Sequence, residues 1–184
     1  MVIQSIGTIH SPWLEPKGTP VQSFSAWNEN GGWRGGAEDN LAVPFTDIRG
    51  GRGTIEIVPQ WEEALADLDG YSHIWVFFWL DRSCPPAAKV LPYRDTVERG
   101  LFSTRAPSRP NPIGLSCVRL LSVRERFVHV AGLDILDGTP LLEIKPYIPD
   151  YDAFPYASRG WLASETASRG TVHADNRFLK GEKA

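Results

Sequence analysis

The sequence predicts a mainly β protein, a β-dominated barrel with one or two short helices and a C-terminal arm. Three observations support this. Short apolar runs recur between Gly- and Pro-rich turns. The most apolar of them, Tyr71 to Leu80 (YSHIWVFFWL), is rich in aromatic and β-branched residues and too short to span a bilayer. No long helices alternate with the strands, and no GxGxxG follows a first strand, which disfavours a doubly wound α/β fold.

Taken in order, Val2 to His10 reads as a strand stopped at Ser11-Pro12, where proline removes a ladder donor. Residues 14–50 are irregular. Within them the NGGWRGG run at 30–36 suits either a tolerated surface insertion or a lid with Trp27 and Trp33 as its apolar face. Gly53 to Val58 alternates, with Ile55 and Ile57 on one face and Glu56 on the other. Pro59 ends it. Gln60 to Leu68 predicts a short helix, with Trp61, Ala64, Leu65 and Leu68 at helical spacing. Tyr71 to Leu80 predicts a central strand buried on both faces. Phe102 to Arg105 and Ile113 to Val123 read as strand-like pieces split by the turn Ala106 to Pro112. Phe127 to Leu133 and Leu141 to Ile144 complete the set. Residues 1–148 form the expected barrel domain, and 149–184 an arm packing on the barrel or on a partner subunit.

Composition narrows the function. The 184 residues are 42% hydrophobic and 22% charged, enough apolar material for one core. The net charge of −3 argues against coating nucleic acid by bulk charge, so any RNA contact needs a local basic patch. Cys84 and Cys117 belong to no CxxC or Cys/His cluster, so no metal site is expected. No apolar stretch has membrane-spanning length and the N-terminus does not resemble a signal peptide, which predicts a cytoplasmic protein without a membrane partner.

Three segments carry candidate chemistry. In STRAPSRPNPIGLS (103–116), three prolines stiffen a frame bearing Arg105, Arg109 and Asn111. Rigidly placed guanidinium groups suit a carboxylate, phosphate or base edge, or else brace the turn internally. In GLDILDGTP (132–140), Asp134 and Asp137 are three apart. In extended chain they face opposite sides, so one can hold the turn while the other reaches a ligand, or both can cap turns. Lys145 beside Tyr147 near a strand end can approach phosphate or stack on a base. Ser72-His73 opens the apolar strand, where the His is either a satisfied structural residue or a base. No Ser/His/Asp set has motif context.

Together these segments resemble the TrmO-like (TsaA-like) family. IGTIHSP (6–12), GTIEIVP (53–59), LDGYSHIWV (68–76), FSTRAPSRPNPIGLS (102–116) and GLDILDGTPLLEIKPYIPDYD (132–152) occur in the family's order. The chain departs at Glu143, where members often have Asp, and in a longer 28–51 region. The resemblance implies a small single-sheeted β-barrel methyltransferase that works as a homodimer, with S-adenosyl-L-methionine as methyl donor. It implies a tRNA substrate, the N6-threonylcarbamoyl-adenosine beside the anticodon. It places the donor against Pro20, Val21, Gln22, Asp81, Arg82, Arg105, Leu115, Ala131, Gly132, Leu133 and Asp134. It makes Arg109, Asn111, Asp137, Lys145 and Tyr147 the residues that frame the reaction and meet the RNA. Two other readings stay open: the same chemistry on another adenine derivative or small molecule, and a non-enzymatic module binding an adenosyl nucleotide.

Overall fold

A computed structural model describes residues 2–19, 51–163 and 174–179. Among these residues eight strands form: β1 (Gly7–His10), β2 (Gly51–Ile57), β3 (His73–Trp79), β4 (Lys89–Val90), β5 (Arg99–Gly100), β6 (Ile113–Arg124), β7 (Phe127–Leu133) and β8 (Thr139–Pro146). Six of them close into one antiparallel barrel in the order β1-β2-β7-β6-β3-β8. Closure leaves no unpaired edge in this sheet. β4 and β5 form a separate two-stranded ribbon.

The inner faces supply the core. Ile9, Ile55, Ile74, Val76, Val118, Val128, Val130, Leu133 and Leu141 are all essentially inaccessible. Each such side chain contributes about 1.5–3 kcal/mol by leaving water. β3 corrects the expectation of two buried faces. Ile74, Val76 and Phe78 point inward, while Trp75, Phe77 and Trp79 lie half-buried on the outer wall. A single-sheeted barrel has only one interior, so the aromatic-rich run divides between core and wall.

β6 is long enough to serve two neighbours. Its first half pairs with β3 and its second with β7, with a register irregularity between Leu120 and Ser122. Where β6 begins, a Cβ added to Gly114 would lie 2.2 Å from the Phe78 ring, so glycine is what lets that ring fill the barrel's end.

Two further expectations change. Residues 59–65 form a 3-10 helix with no buried residue, and Trp61 is exposed; the apolar spacing there reaches the core only through the partly buried Leu65 and Leu68. Phe102 to Arg105 is no strand. Leu101–Ser103 is a 3-10 turn that buries Leu101 and turns Phe102 into solvent.

After β8 the chain makes one helical turn, α1 (Pro149–Asp152), and then a 3-10 turn, Gly160–Ala163. There the Trp161 indole donates to the Ser103 carbonyl at 2.7 Å, and Arg99 lies over its ring. Among the described residues, no helix is long and apolar enough to cross a membrane.

Candidate active site

One end of the barrel gathers most of the polar candidates. It is bounded by the loop after β3, the Pro-rich segment before β6 and the turn between β7 and β8. A cavity of about 110 Å³ opens there. Phe78, Leu80, Pro107, Ile135 and Leu136 give it apolar walls, and Asp81, Arg82 and Asp134 give it charge. It is smaller than the roughly 300–1,000 Å³ that encloses a drug-sized ligand, so it grips part of one.

The two aspartates differ in role. Asp137 holds the turn: its carboxylate accepts the Ser11 N–H at 3.0 Å and its own N–H donates to the Trp13 carbonyl at 2.7 Å. Gly138 follows with φ +75°, a conformation glycine adopts at no steric cost, and donates to Ile9. Asp134 instead lines the cavity and accepts the Ser116 hydroxyl at 2.7 Å. Arg82 donates to the Asp137 carbonyl, which ties the loop after β3 to this turn.

The two arginines of the Pro-rich segment also differ. Arg109 braces its own loop through the carbonyls of Thr104 (3.0 Å) and Ala106 (3.4 Å), with Phe102 under its guanidinium. Arg105 is exposed and pairs with no other described residue. It lies two residues before the cavity-lining Pro107. Asn111 is exposed and lines a separate groove of about 420 Å³ on the outer wall, with Ile3, Ser5, Trp79, Pro140 and Leu142. Leu115 is exposed on that same wall, its neighbour Ser116 pointing in.

Ala131, Gly132 and Leu133 are buried in β7, so only their backbone can meet a ligand; the Leu133 carbonyl already accepts the Trp13 indole at 2.9 Å. Pro20, Val21 and Gln22 lie outside the described residues, as does the 28–50 stretch of the long loop.

Lys145 and Tyr147 stand apart from this rim. Lys145 pairs in register with Trp75, four residues along β3 from Trp79 at the rim, roughly 13 Å of strand. Tyr147 packs on Trp75 with ring centroids 5.7 Å apart and meets His73 edge-on at 6.3 Å. Burial, then the neighbouring Arg119 charge, lowers the His73 pKa, so this ring is neutral near pH 7. Burial raises Tyr147 and pushes the Cys117 thiol up to about 11. Lys145 and Arg119 therefore carry the positive charge of this outer surface.

Arg177 is spent internally. It grips Asp175 at 2.6 Å and the carbonyls of Leu91 and Pro92. Ser116 and the cavity-lining Pro16, Phe178 and Leu179 were not among the expected site residues. Only the alternation of β6, which points Ser116 inward beside the β7 end, could have revealed one of them.

The donor set fits S-adenosyl-L-methionine in kind. A purine needs apolar walls, a ribose diol and an ammonium need carboxylates such as Asp81 and Asp134, and a carboxylate needs a cation such as Arg105. Among the described residues, no group of three or more His, Cys, Asp or Glu could hold a metal.

Among the described residues, a closed six-stranded antiparallel barrel with a polar cavity at one rim defines a class of β-barrels distinct from doubly wound α/β folds. Residues 42–153 match the tRNA-methyltransferase O N-terminal domain. The chain belongs to that family. It is 38% identical over 174 residues to a probable S-adenosyl-L-methionine-binding protein of Pyrococcus abyssi, covering 95% of this chain and 83% of that one. It is 42% identical over 97 residues to the tRNA (adenine(37)-N6)-methyltransferase of Homo sapiens, covering 50% of this chain but 22% of the human protein. The crystal structure of TrmO from Pseudomonas aeruginosa superposes with a TM-score of 0.62 at 33% identity, over 87% of this chain and 62% of that one.

Proposed function

We propose that this chain transfers a methyl group from S-adenosyl-L-methionine to N6 of the adenine at position 37 of tRNA, acting on its threonylcarbamoyl form. The carrying observation is the rim cavity, where Asp81, Arg82 and Asp134 stand among apolar walls, with the exposed Arg105 two residues before the lining Pro107. Relatives named as donor-binding proteins and as tRNA (adenine(37)-N6)-methyltransferases support the reading.

S-adenosyl-L-methionine, when bound, would supply an activated methyl on sulfur for transfer to the nitrogen, with S-adenosylhomocysteine as the leaving group and the N6 proton passing to solvent. The protein therefore needs neither a nucleophile nor a metal; it aligns two reactants and excludes water. Asp134, oriented by Ser116, and Asp81 hold the donor's polar groups. Arg105 meets its carboxylate. Asp137 and Arg109 frame the site by fixing the turn and the loop.

The working unit is a homodimer formed across the outer wall of β3, β6 and β8. Trp75, Phe77 and Trp79 lie half-buried there beside the exposed Ile113 and Leu115. A two-fold axis crossing the strands would bring Lys145 of the partner subunit toward this rim, joining a phosphate-binding surface to the donor site. Residues 1–148 act as the catalytic barrel and 149–184 as its arm, in the cytoplasm, where tRNA is modified.

The test is incubation of the protein with methyl-labelled donor and threonylcarbamoylated tRNA, followed by nucleoside analysis. Label on N6 of that nucleoside is expected. Label on a free adenine derivative alone, with none in tRNA, would shift the assignment to a small-molecule methyltransferase of the same fold.

A further inference from the structure

Residues 174–179 lie beyond the stretch matched by the family domain, which ends at residue 153, yet they help to build the cavity. The segment is tied at both ends to loops that bound the rim. At its start, Gly18 N–H donates to the Ala174 carbonyl (3.1 Å), and Ala174 N–H donates to Thr19 (2.8 Å). At its end, Leu179 bridges Ser83, and Cys84 donates to Phe178 through its N–H (2.9 Å) and to Leu179 through its thiol (2.8 Å). Ser83 and Cys84 directly follow Asp81 and Arg82, two of the cavity's charged residues.

The middle is pinned as firmly. Arg177 joins Asp175 to the Leu91 and Pro92 carbonyls and lies over Tyr93. The Phe178 ring packs against the small core of Val90, Leu101 and Ala106 and edge-on to Tyr93. Phe178 and Leu179 are the residues of this segment that line the cavity.

We propose that residues 174–179 are a strap that completes the donor site, with Leu179 as a positioning residue whose side chain packs against bound S-adenosyl-L-methionine. The inference rests on reading the rim cavity as the donor site. Leu179 is anchored through its backbone, so its side chain is free to serve the ligand without holding the strap. Phe178, by contrast, is committed to the small core as well as the cavity.

Leu179→Ala in the full chain, titrated calorimetrically with S-adenosyl-L-methionine and with S-adenosylhomocysteine, tests it. Both affinities should fall by about tenfold, the effect of stripping one aliphatic wall from an apolar site. Leu179→Met should restore most of the loss, and affinity for tRNA alone should not change. Hydrogen exchange on the wild-type protein gives a readout independent of any variant: donor binding should slow exchange across 174–179. Wild-type affinity in Leu179→Ala with unchanged exchange in the strap would overturn the proposal. If Asp134→Asn loses donor binding in the same series, the donor site stands and only the strap's role falls. Absence of donor binding by the wild type, with tRNA present, would overturn both.

Discussion

At the scale of single residues, Asp134 and Asp137 show how three positions separate two jobs. Asp137 is consumed by the Ser11 N–H, whereas Asp134 faces the cavity with Ser116 orienting it. Asp134→Asn keeps the shape and removes the charge. Its affinity for the donor should fall on the order of tenfold, ~1.4 kcal/mol, with little change in melting temperature; equal affinity would take Asp134 out of the site. Asp137→Ala should instead lower stability by about 1–3 kcal/mol, because it strands the Ser11 donor and loosens the turn; denaturant unfolding reads this. Glu56 offers a pH test. Its pKa is lowered, first by the hydrogen bond from His10, then by Arg126. A lowered carboxylate stabilises the fold above its ordinary value near 4.5 and loses that contribution as pH falls through the lowered one. Melting temperature should therefore drop more steeply below about pH 4.5 in the wild type than in Glu56→Gln.

At the scale of elements, β3 and β6 position the rim by ending together, with Trp79 opposite Ile113 and Phe78 opposite Gly114. Gly114→Ala would force a methyl into the Phe78 ring and should destabilise the protein by about 1–3 kcal/mol, the usual range for overpacking. An unchanged unfolding midpoint would show that the ring can move aside. Alternation made β2 legible in the sequence, because a half-buried strand writes its faces at every second residue, while β6, β7 and β8 were legible as short apolar runs between turns. The wall role of Trp75, Phe77 and Trp79 was not legible: aromatic residues look alike whether they fill a core or cover its outside. The 59–65 turn misled for a related reason, since Trp61 and Leu65 have helical spacing but too short a 3-10 segment to bury both. Phe102 to Arg105 had strand composition, yet Leu101 takes the buried place and the chain turns.

At the scale of the whole molecule, the barrel collects distant motifs at one end. Ser11 meets Asp137, Ser116 meets Asp134, and Arg82 meets the Asp137 carbonyl. These contacts span up to 126 residues of sequence, so periodicity cannot show them, although the resemblance of the motifs pointed to the same segments. The strap escaped for a stronger reason. Residues 174–179 have neither periodicity nor a motif, and what they do depends on partners as far away in sequence as Gly18 and Tyr93. With a net charge of −3, the chain cannot hold tRNA by bulk attraction. Its RNA affinity should fall with salt by a slope that counts its few localised contacts, and Lys145→Ala should reduce that slope by about one unit of log K per log salt.

The central claim is that the rim cavity binds S-adenosyl-L-methionine through Arg105 and Asp134. Calorimetric titration of the wild-type protein and Arg105→Ala with the donor tests it most directly. Saturable binding by the wild type, weakened about tenfold in Arg105→Ala at an unchanged melting temperature, is the expected result. Identical binding curves for the two proteins would contradict it, because the exposed Arg105 would then make no contact with the donor.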